Sequence, residues 1–331
     1  MGFALTAGNL LAVVSGYWLF SLDIITIGTV YLFVHYINLL EEPFWAMTHE
    51  IESFQTIGAC VERLTEFRNF KPEVIVASGP EISSAPLALT FEDVTFSYNG
   101  EDNVLNSLSL NLKAGSILGL LGRTGSGKTT IGRLIFRLYD VNAGSIKINQ
   151  TDLREAQLKS LRRNIAIVTQ DVQLFRASIR DNLTFFDRTI PDEKIIATLE
   201  ELELGDWYKN LSKGLDTELD TGSRSLSAGE AQLLAFTRVF LRNPGLVILD
   251  EASSRLDPAT EQKLERAIDK LLKGRTAIII AHRLDTVHRA DEILILDKGQ
   301  TSEYGNRKQL AANPNSRFYQ LLQTGLEEVL A

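Results

Sequence analysis

The sequence predicts an α/β domain with a mainly parallel β-sheet, preceded by two apolar transmembrane α-helices. Short β-rich stretches alternate with helical patterns from Leu87 onward, which is typical of parallel α/β domains. A glycine-rich loop stands between a strand pattern and a helix pattern at residues 122–130. Residues 1–62 contain no lysine or arginine, and the first forty are mostly apolar.

Two apolar runs, residues 3–22 and 24–40, occupy the start of the chain. The first has the length of a bilayer-spanning helix, and the second lies at the short end of that range. Arg63, Arg68 and Lys71 follow, and this positive charge predicts that the second span ends on the cytoplasmic side. A cleaved signal peptide is disfavoured because no positive segment precedes the first run, and a buried helical hairpin of a soluble protein is the alternative. We expect a multi-pass cell-membrane protein in contact with lipid, with its soluble domain in the cytoplasm.

An apolar stripe with three- and four-residue steps continues after the second run and predicts a cytoplasmic helical extension. Residues 1–70 would then form the membrane part, and residues 71–86, with three of the eight prolines, an extended linker. Asn9, His35 and Asn38 are the polar side chains to consider within the runs, and hydrogen bonding between helices is their favoured role.

The length, charge and cysteine content of the chain limit which classes of function are possible. The 331 residues are enough for two domains, and a hydrophobic fraction of 44% allows a well-buried core. The net charge of −8 argues against a nucleic-acid partner, which usually requires a basic surface. Cys60 is the only cysteine, so the chain can form no internal disulfide.

The stretch SILGLLGRTGSGKTTIGRLI contains the phosphate-binding pattern G-x-x-x-x-G-K-[ST] in a strand–loop–helix setting. Its glycines let backbone N–H groups turn towards phosphates, and the helix N-terminus adds partial positive charge. We expect Lys128 to reach the outer phosphates and the Thr129 hydroxyl to bind Mg²⁺. The predicted nucleotide-binding residues of this loop are Gly122, Arg123, Thr124, Gly125, Ser126, Gly127, Lys128, Thr129 and Thr130.

The stretch GLVILDEASS predicts a buried strand that ends in two carboxylates. Asp250 would lie near Mg²⁺, directly or through water, and Glu251 would polarise the attacking water as a general base. His282 ends another apolar strand, TAIIIAH, at the sheet edge that faces the ligand crevice. These positions predict a nucleotide-hydrolysing site.

The stretch RSLSAGEAQLLAF, residues 224–236, has two interpretations. Ser227 and Glu230 stand three residues apart before an apolar run, as in a helix-capping box. A serine and a glycine at a helix N-terminus can also bind a phosphate. The two uses are compatible because one helix end has several unpaired donors.

Together these motifs resemble the ATP-binding cassette (ABC) family, over residues 87–325, with a short tail at 326–331. The family has a P-loop NTPase fold with an inserted helical subdomain, and residues 224–236 are similar to its signature sequence. The resemblance implies that Tyr98 stacks on adenine, that Gln170 lies in the glutamine loop and binds Mg²⁺, and that His282 senses the γ-phosphate. It implies that Asp257 lies in the loop that crosses the dimer interface.

In that family two cassettes, identical or related, pack head to tail around ATP and Mg²⁺. The resemblance therefore implies that the signature residues contact the ATP of a partner cassette; they are Leu226, Ser227, Ala228, Gly229 and Glu230. Two of them depart from the usual Leu-Ser-Gly-Gly-Gln. Ala228 is harmless only if its φ is negative, and the Glu230 carboxylate is expected to weaken the ATP contact slightly while improving helix capping. Residues 220–225 also depart from the family's usual glutamate-containing loop.

The first seventy residues resemble the last two helices of an exporter-type half-transporter. An exporter half has six spans, so a companion protein is expected to supply the others, and an ATP-hydrolysing subunit of an exporter is the favoured function. The alternatives are a truncated ATPase without transport activity and, disfavoured by the apolar start and acidic charge, a soluble ABC ATPase of DNA repair or translation.

Overall fold

The computed structural model describes residues 2–39, 41–69, 74, 76, 78–169, 172–219, 226–250, 258–281 and 284–324. The chain divides into two compact units, Met1–Pro72 and Glu73–Ala331. Four predicted site residues lie outside the described residues, namely Gln170, Glu251, Asp257 and His282. The loop at 220–225 and the predicted tail at 326–331 also lie outside them.

In the part of the first unit that the structure describes there are three helices, α1 (Gly2–Ser21), α2 (Ile27–Leu39) and α3 (Glu41–Asn69). The second apolar run was expected to be helical from residue 24, but α2 begins three residues later. Asp23 has a φ of 58°, and its N–H donates to the Phe20 carbonyl at 3.0 Å, so the turn after α1 occupies these positions. The Thr26 hydroxyl then accepts the Thr29 N–H at 3.4 Å, at the start of α2.

A hydrogen bond joins α1 and α2, since Asn9 Nδ2 donates to Asn38 Oδ1 at 3.0 Å. Gly16 lets the helices approach closely, because a Cβ at this position would lie 2.8 Å from Val30 Cγ1. The expected use of Asn9 and Asn38 between helices is therefore confirmed. Among the helices that the structure describes, none combines the length and apolar character needed to cross a membrane.

The second unit contains ten strands and ten α-helices within its described residues. The strands are β1 (Leu89–Phe96), β2 (Leu105–Leu112), β3 (Ile117–Gly122), β4 (Ala143–Ile148), β5 (Thr151–Asp152), β6 (Ile165–Val168), β7 (Leu246–Asp250), β8 (Thr276–Ile280), β9 (Glu292–Asp297) and β10 (Gln300–Asn306). The helices are α4 (Lys128–Ile135), α5 (Leu158–Asn164), α6 (Ile179–Thr184), α7 (Asp192–Glu201), α8 (Gly205–Lys209), α9 (Ala228–Arg242), α10 (Pro258–Leu272), α11 (Leu284–Val287), α12 (Arg307–Ala312) and α13 (Arg317–Thr324).

A six-stranded sheet in the order β10-β9-β3-β8-β7-β6 forms the centre of this unit. All its neighbouring pairs are parallel except β10–β9, which confirms the predicted mainly parallel sheet. The other five strands are mainly apolar runs because both faces of the sheet are covered, whereas β10 at the edge is polar and largely exposed. Along β3, Leu121 packs into one buried cluster, whereas Leu118 and Leu120 pack into another on the opposite face.

A second sheet, β2-β1-β4-β5, is antiparallel throughout and was not predicted as a separate sheet. Its buried residues, including Leu89, Phe91 and Ile148, join the cluster of Leu118 and Leu120. The two sheets therefore share one core, and the loop between β3 and α4 leaves the edge of that core.

The end of the expected linker packs against α5. The Gln157 N–H donates to the Pro80 carbonyl at 3.1 Å, and the Ile82 N–H donates to Ser160 Oγ at 2.9 Å. Asn164 Nδ2 donates to the Ile82 carbonyl at 2.8 Å. Residues 80–82 are thus fixed to the second unit rather than extended in solvent, because buried side chains of α5 pair their backbone groups.

Candidate nucleotide-binding site

The loop between β3 and α4 forms a backbone cradle. Gly125 and Gly127 have φ values of 80° and 104°, which residues with a Cβ rarely adopt. A Cβ at Gly127 would also lie 2.7 Å from Leu105 Cδ2. Gly127 is the N-cap of α4 and supplies no side-chain hydrogen bond, so the first turn of the helix has no side-chain cap. These N–H groups and the helix dipole favour an anion at this position.

Lys128 lies across the cradle. Its Nζ donates to the Gly122 carbonyl at 2.6 Å and to the Arg123 carbonyl at 2.9 Å. The residue is buried, with 6% of its surface exposed, so its charge is directed into the loop rather than towards solvent. A phosphate placed there would give the ammonium group a charged acceptor, and hydrogen bonds to charged groups are the stronger ones.

Ser126 provides a test of whether the loop fits a triphosphate. Its Oγ is buried and has no hydrogen-bond partner among the described residues. A buried hydroxyl without a partner costs free energy, and an anionic oxygen in the loop would relieve that cost. The donors of this loop therefore fit nucleotide phosphates, and the Thr129 hydroxyl beside them fits a hard cation such as Mg²⁺.

The carboxyl ends of three neighbouring parallel strands meet beside this loop. Leu120 of β3 and Asp250 of β7 both pair with Ile280 of β8, so Asp250 lies two strands away from the cradle strand, at about 10 Å by ordinary strand spacing. The Ala281 N–H, just after β8, donates to the Leu120 carbonyl at 3.1 Å. In the sequence, Glu251 comes directly after the last residue of β7, and His282 is the second residue after β8. Both lie outside the described residues.

Tyr98 follows β1 and contacts α4. Its hydroxyl lies 3.1 Å from the Thr130 hydroxyl, and Arg133 Nη1 donates to it at 3.1 Å. Its ring makes edge contacts with Phe96 and Tyr139, yet 43% of the residue is exposed. The predicted base-stacking residue is thus joined to the helix that begins at the cradle, and its ring remains accessible.

Ser227 and Glu230 form the capping box predicted at the start of α9. The Glu230 N–H donates to Ser227 Oγ at 3.2 Å, and the Ser227 N–H and Oγ donate to Glu230 Oε2 at 2.7 and 2.9 Å. Ala228 is the first residue of the helix and is not among the residues with positive φ, so the alanine is accommodated. Gly229 is buried and Leu226 half-buried, and α9 packs against α6, α7, α10 and β6.

A groove on the second unit was missed by the sequence analysis. Arg238 of α9 donates to the Asn182 carbonyl at 2.8 Å and the Gln173 carbonyl at 2.9 Å, and its guanidinium lies 4.9 Å from the Phe185 ring centroid. Burial lowers its pKa to about 10. Phe185 and Phe186 are exposed and have φ values of 52° and 64°, an uncommon conformation for bulky residues.

The groove measures about 310 Å³. Its lining includes Phe136, Leu138, Val172, Phe185, Val239 and Arg242. The adjacent phenylalanines of NLTFFD were the available sequence signal, but their exposure depends on contacts with α9 that lie far away in sequence.

Comparisons with known proteins agree with this geometry. Residues 105–254 match the family model described as ABC transporter. An uncharacterised ABC transporter ATP-binding protein of Bacillus subtilis is 38% identical over 294 residues, covering 88% of this chain and 48% of the relative. An ATP-dependent lipid A-core flippase of Haemophilus influenzae is 37% identical over 84% of this chain and 48% of its own length.

The structure of a bacterial Atm1-family ABC exporter with ATP bound is similar to this fold, with a TM-score of 0.73 and 30% identity, over 91% of this chain and 53% of that one. The fold and the site define an ATP-binding cassette. Residues 105–254 are an ABC transporter domain, and the relatives that match most of the chain are ABC transporter proteins, whose ATP-binding domains hydrolyse ATP to drive transport. The chain spans about half the length of the curated relatives it matches.

Proposed function

We propose that this chain is the ATP-binding and ATP-hydrolysing part of an ABC exporter that couples cassette dimerisation to transport. The observation that carries the proposal is the cradle between β3 and α4, in which an uncapped helix end, the buried Ser126 hydroxyl and the inward Lys128 ammonium converge on one loop. Family relatives named as flippases and translocation ATP-binding proteins support the export part.

In this proposal each residue of the site has one task. Lys128 exchanges its two carbonyl partners for phosphate oxygens, and the loop N–H groups bind the same phosphates. Thr129, Asp250 and Gln170 would hold Mg²⁺, which neutralises charge on the phosphates when bound. Glu251 takes a proton from the attacking water.

His282 would detect the γ-phosphate, since it follows β8 at the carboxyl edge of the sheet. Asp257 would contact the second cassette. Both assignments rest on the family resemblance and on the chain positions of these residues after described strands and before α10.

The second cassette completes the site. We propose that the start of α9 contributes to ATP bound in the cradle of a partner cassette, identical or related. The Glu230 carboxylate already accepts two hydrogen bonds from Ser227, so this end of the helix is partly satisfied within its own chain. That arrangement supports a weaker contact to the partner's ATP than an uncharged glutamine would give.

Transport requires contact between the cassette and a membrane domain, and the Phe185 groove supports such a role. Phe185 and Phe186 are adjacent, exposed and in left-handed backbone conformations, so they offer apolar surface beside the groove. We propose that the protein acts at the cell membrane as part of a multi-pass assembly, with lipid around its apolar helices and the cassette in the cytoplasm.

The test is ATP hydrolysis by the purified full chain in lipid nanodiscs, with and without Mg²⁺. The proposal predicts Mg²⁺-dependent release of phosphate that the Glu251→Gln substitution abolishes while ATP binding persists. Failure of the wild-type chain to bind ATP would contradict the proposal. Recovery of the intact chain entirely from the soluble fraction of cells would contradict its membrane part and favour the soluble alternative.

A further inference from the structure

The Tyr98 hydroxyl is held by two side chains of the cradle helix α4. Two residues of α4, Thr130 and Arg133, stand one turn apart on the same face of the helix. Both reach the Tyr98 hydroxyl, at 3.1 Å each. Because arginine can only donate, the phenol oxygen accepts from Arg133 and remains free to donate to Thr130.

Two aromatic neighbours confine the Tyr98 ring. Phe96 and Tyr139 meet it in edge-on contacts with centroid distances of 4.9 and 5.0 Å and interplanar angles of 84° and 86°. Phe96 is buried, with 2% of its surface exposed, so this side of the ring has a fixed neighbour. The backbone is fixed separately, since the Ser97 N–H donates to Asn142 Oδ1 at 2.7 Å.

Arg133 also limits the orientation of the ring. Its guanidinium carbon lies 5.9 Å from the Tyr98 ring centroid, at the outer limit of a cation–π contact. Arg133 is itself exposed, so it contributes little to the core and its contact with Tyr98 is its described interaction with the site. The contact between Arg133 and Tyr98 is therefore not part of the packing of the buried core.

From this geometry we propose that Arg133 and Thr130 are positioning residues that orient Tyr98 for the base of the nucleotide. The inference rests on the proposed function, in which Tyr98 stacks on adenine. It adds that the base platform and the phosphate cradle are one rigid piece, because both are attached to α4. Binding of the phosphates and binding of the base are then geometrically matched before the nucleotide arrives, which reduces the cost of ordering the site.

The experiment compares two ligands, ATP and inorganic tripolyphosphate, by calorimetric titration of the full chain in the presence of Mg²⁺. Tripolyphosphate can contact only the cradle. The ratio of the ATP affinity to the tripolyphosphate affinity therefore measures the contribution of the base to binding. Replacement of Tyr98 by alanine should lower that ratio by roughly 5- to 150-fold, the range found for the loss of one base–aromatic stack. Arg133→Ala should lower it about three- to tenfold, as expected for one lost side-chain hydrogen bond.

A double-mutant cycle decides whether Arg133 acts through the Tyr98 hydroxyl. Tyr98→Phe keeps the ring and removes the hydroxyl, so Tyr98→Phe combined with Arg133→Ala should lower the ratio no further than the larger single effect, within about twofold. Thr130→Val should reduce the ratio in the same direction. Arg133→Gln, which keeps a donor without the charge, should restore most of the ratio.

Three results separate the outcomes. An unchanged ratio in Arg133→Ala, or fully additive effects in the cycle, would overturn the positioning role and leave the proposed function intact. A wild-type chain that binds ATP and tripolyphosphate equally well would overturn base stacking at Tyr98 and with it this inference. A wild-type chain that binds neither would contradict the proposed function itself.

Discussion

The helices α4 and α9 both begin at predicted nucleotide contacts, but they satisfy their first N–H groups in opposite ways. Gly127 caps α4 without any side chain, whereas Ser227 and Glu230 cap α9 with a reciprocal pair of hydrogen bonds. The end of α4 is therefore open to an anion, and its loop contains the buried cation Lys128. The end of α9 is capped without a ligand, which is consistent with the proposal that this helix meets ATP only when a second cassette is present.

The largest expected effect is a loss of ATP turnover without a loss of ATP binding at the start of α4. Glu251→Gln removes the proposed base, so we expect turnover to fall by about 10²- to 10⁴-fold while ATP affinity is kept. The variant should accumulate as a nucleotide-bound dimer, measured by phosphate release and by size-exclusion chromatography with ATP. Glu193→Gln at the exposed start of α7 is the control and should hydrolyse ATP normally. Normal turnover in Glu251→Gln would show that another group is the base.

The second effect concerns the cation of the cradle. Lys128→Ala removes the ammonium that bridges Gly122 and Arg123, so we expect ATP affinity to fall by about 10- to 150-fold, as for a lost charged hydrogen bond. Equilibrium binding measured by calorimetry checks this. Lys113→Ala, at an exposed lysine after β2, is the matched control and should bind ATP as the wild type does. Equal ATP affinities of the two variants would contradict the proposal that the phosphates bind beside Lys128.

The third effect distinguishes capping from ligand binding at α9. Ser227→Ala removes a capping hydroxyl and should lower the free energy of unfolding by about 1 kcal/mol. Ser178→Ala is the control, because Ser178 caps α6 in the same way, accepting the Asp181 N–H at 3.1 Å. Both variants should lose similar stability in thermal unfolding, but only Ser227→Ala should lower ATPase activity, by several-fold. Equal activity of the two variants would limit Ser227 to capping.

The smallest effect concerns the charge at the capped end. Glu230→Gln keeps an oxygen that can accept from Ser227 but removes a negative charge near the predicted ATP of the partner. We expect ATPase activity to stay the same or rise, and stability to fall by a few tenths of a kcal/mol from the weaker interaction with the helix dipole. Steady-state kinetics and thermal unfolding measure the two. A complete loss of activity would mean that the carboxylate has a positive role.

The strands, the cradle and the capping box could be predicted because each depends on a local pattern. The run LVILD predicts a buried strand by itself, and Ser227 and Glu230 are only three residues apart. The separate antiparallel sheet could not be predicted, since Leu89 pairs with Leu112 on one side and with Ile148 on the other. Such pairings depend on burial against distant parts of the chain.

Contacts between distant residues account for the other omissions. Tyr98 was identified through the family resemblance of the sequence. Its partner Arg133 is 35 positions away and belongs to no sequence motif that indicates this contact. Arg238 is 56 positions from Asn182, so the groove beside Phe185 became visible only in the fold. The late start of α2 reflects the turn at Asp23 and the Thr26 hydroxyl at the start of the helix, because residues 24, 25 and 27 are all isoleucine.

The central claim is that one cassette supplies the cradle and another supplies the start of α9. Mixing two variants of the full chain, Lys128→Ala and Ser227→Arg, at an ATP concentration too low for the Lys128→Ala cradle to bind ATP, tests it most directly. A dimer of the two contains one intact pair, formed by the cradle of the second variant and the α9 of the first, so the account predicts that ATPase activity reappears in the mixture. Mixed dimers that form, as shown by co-purification of differently tagged chains, but have no more activity than the separate variants would contradict it.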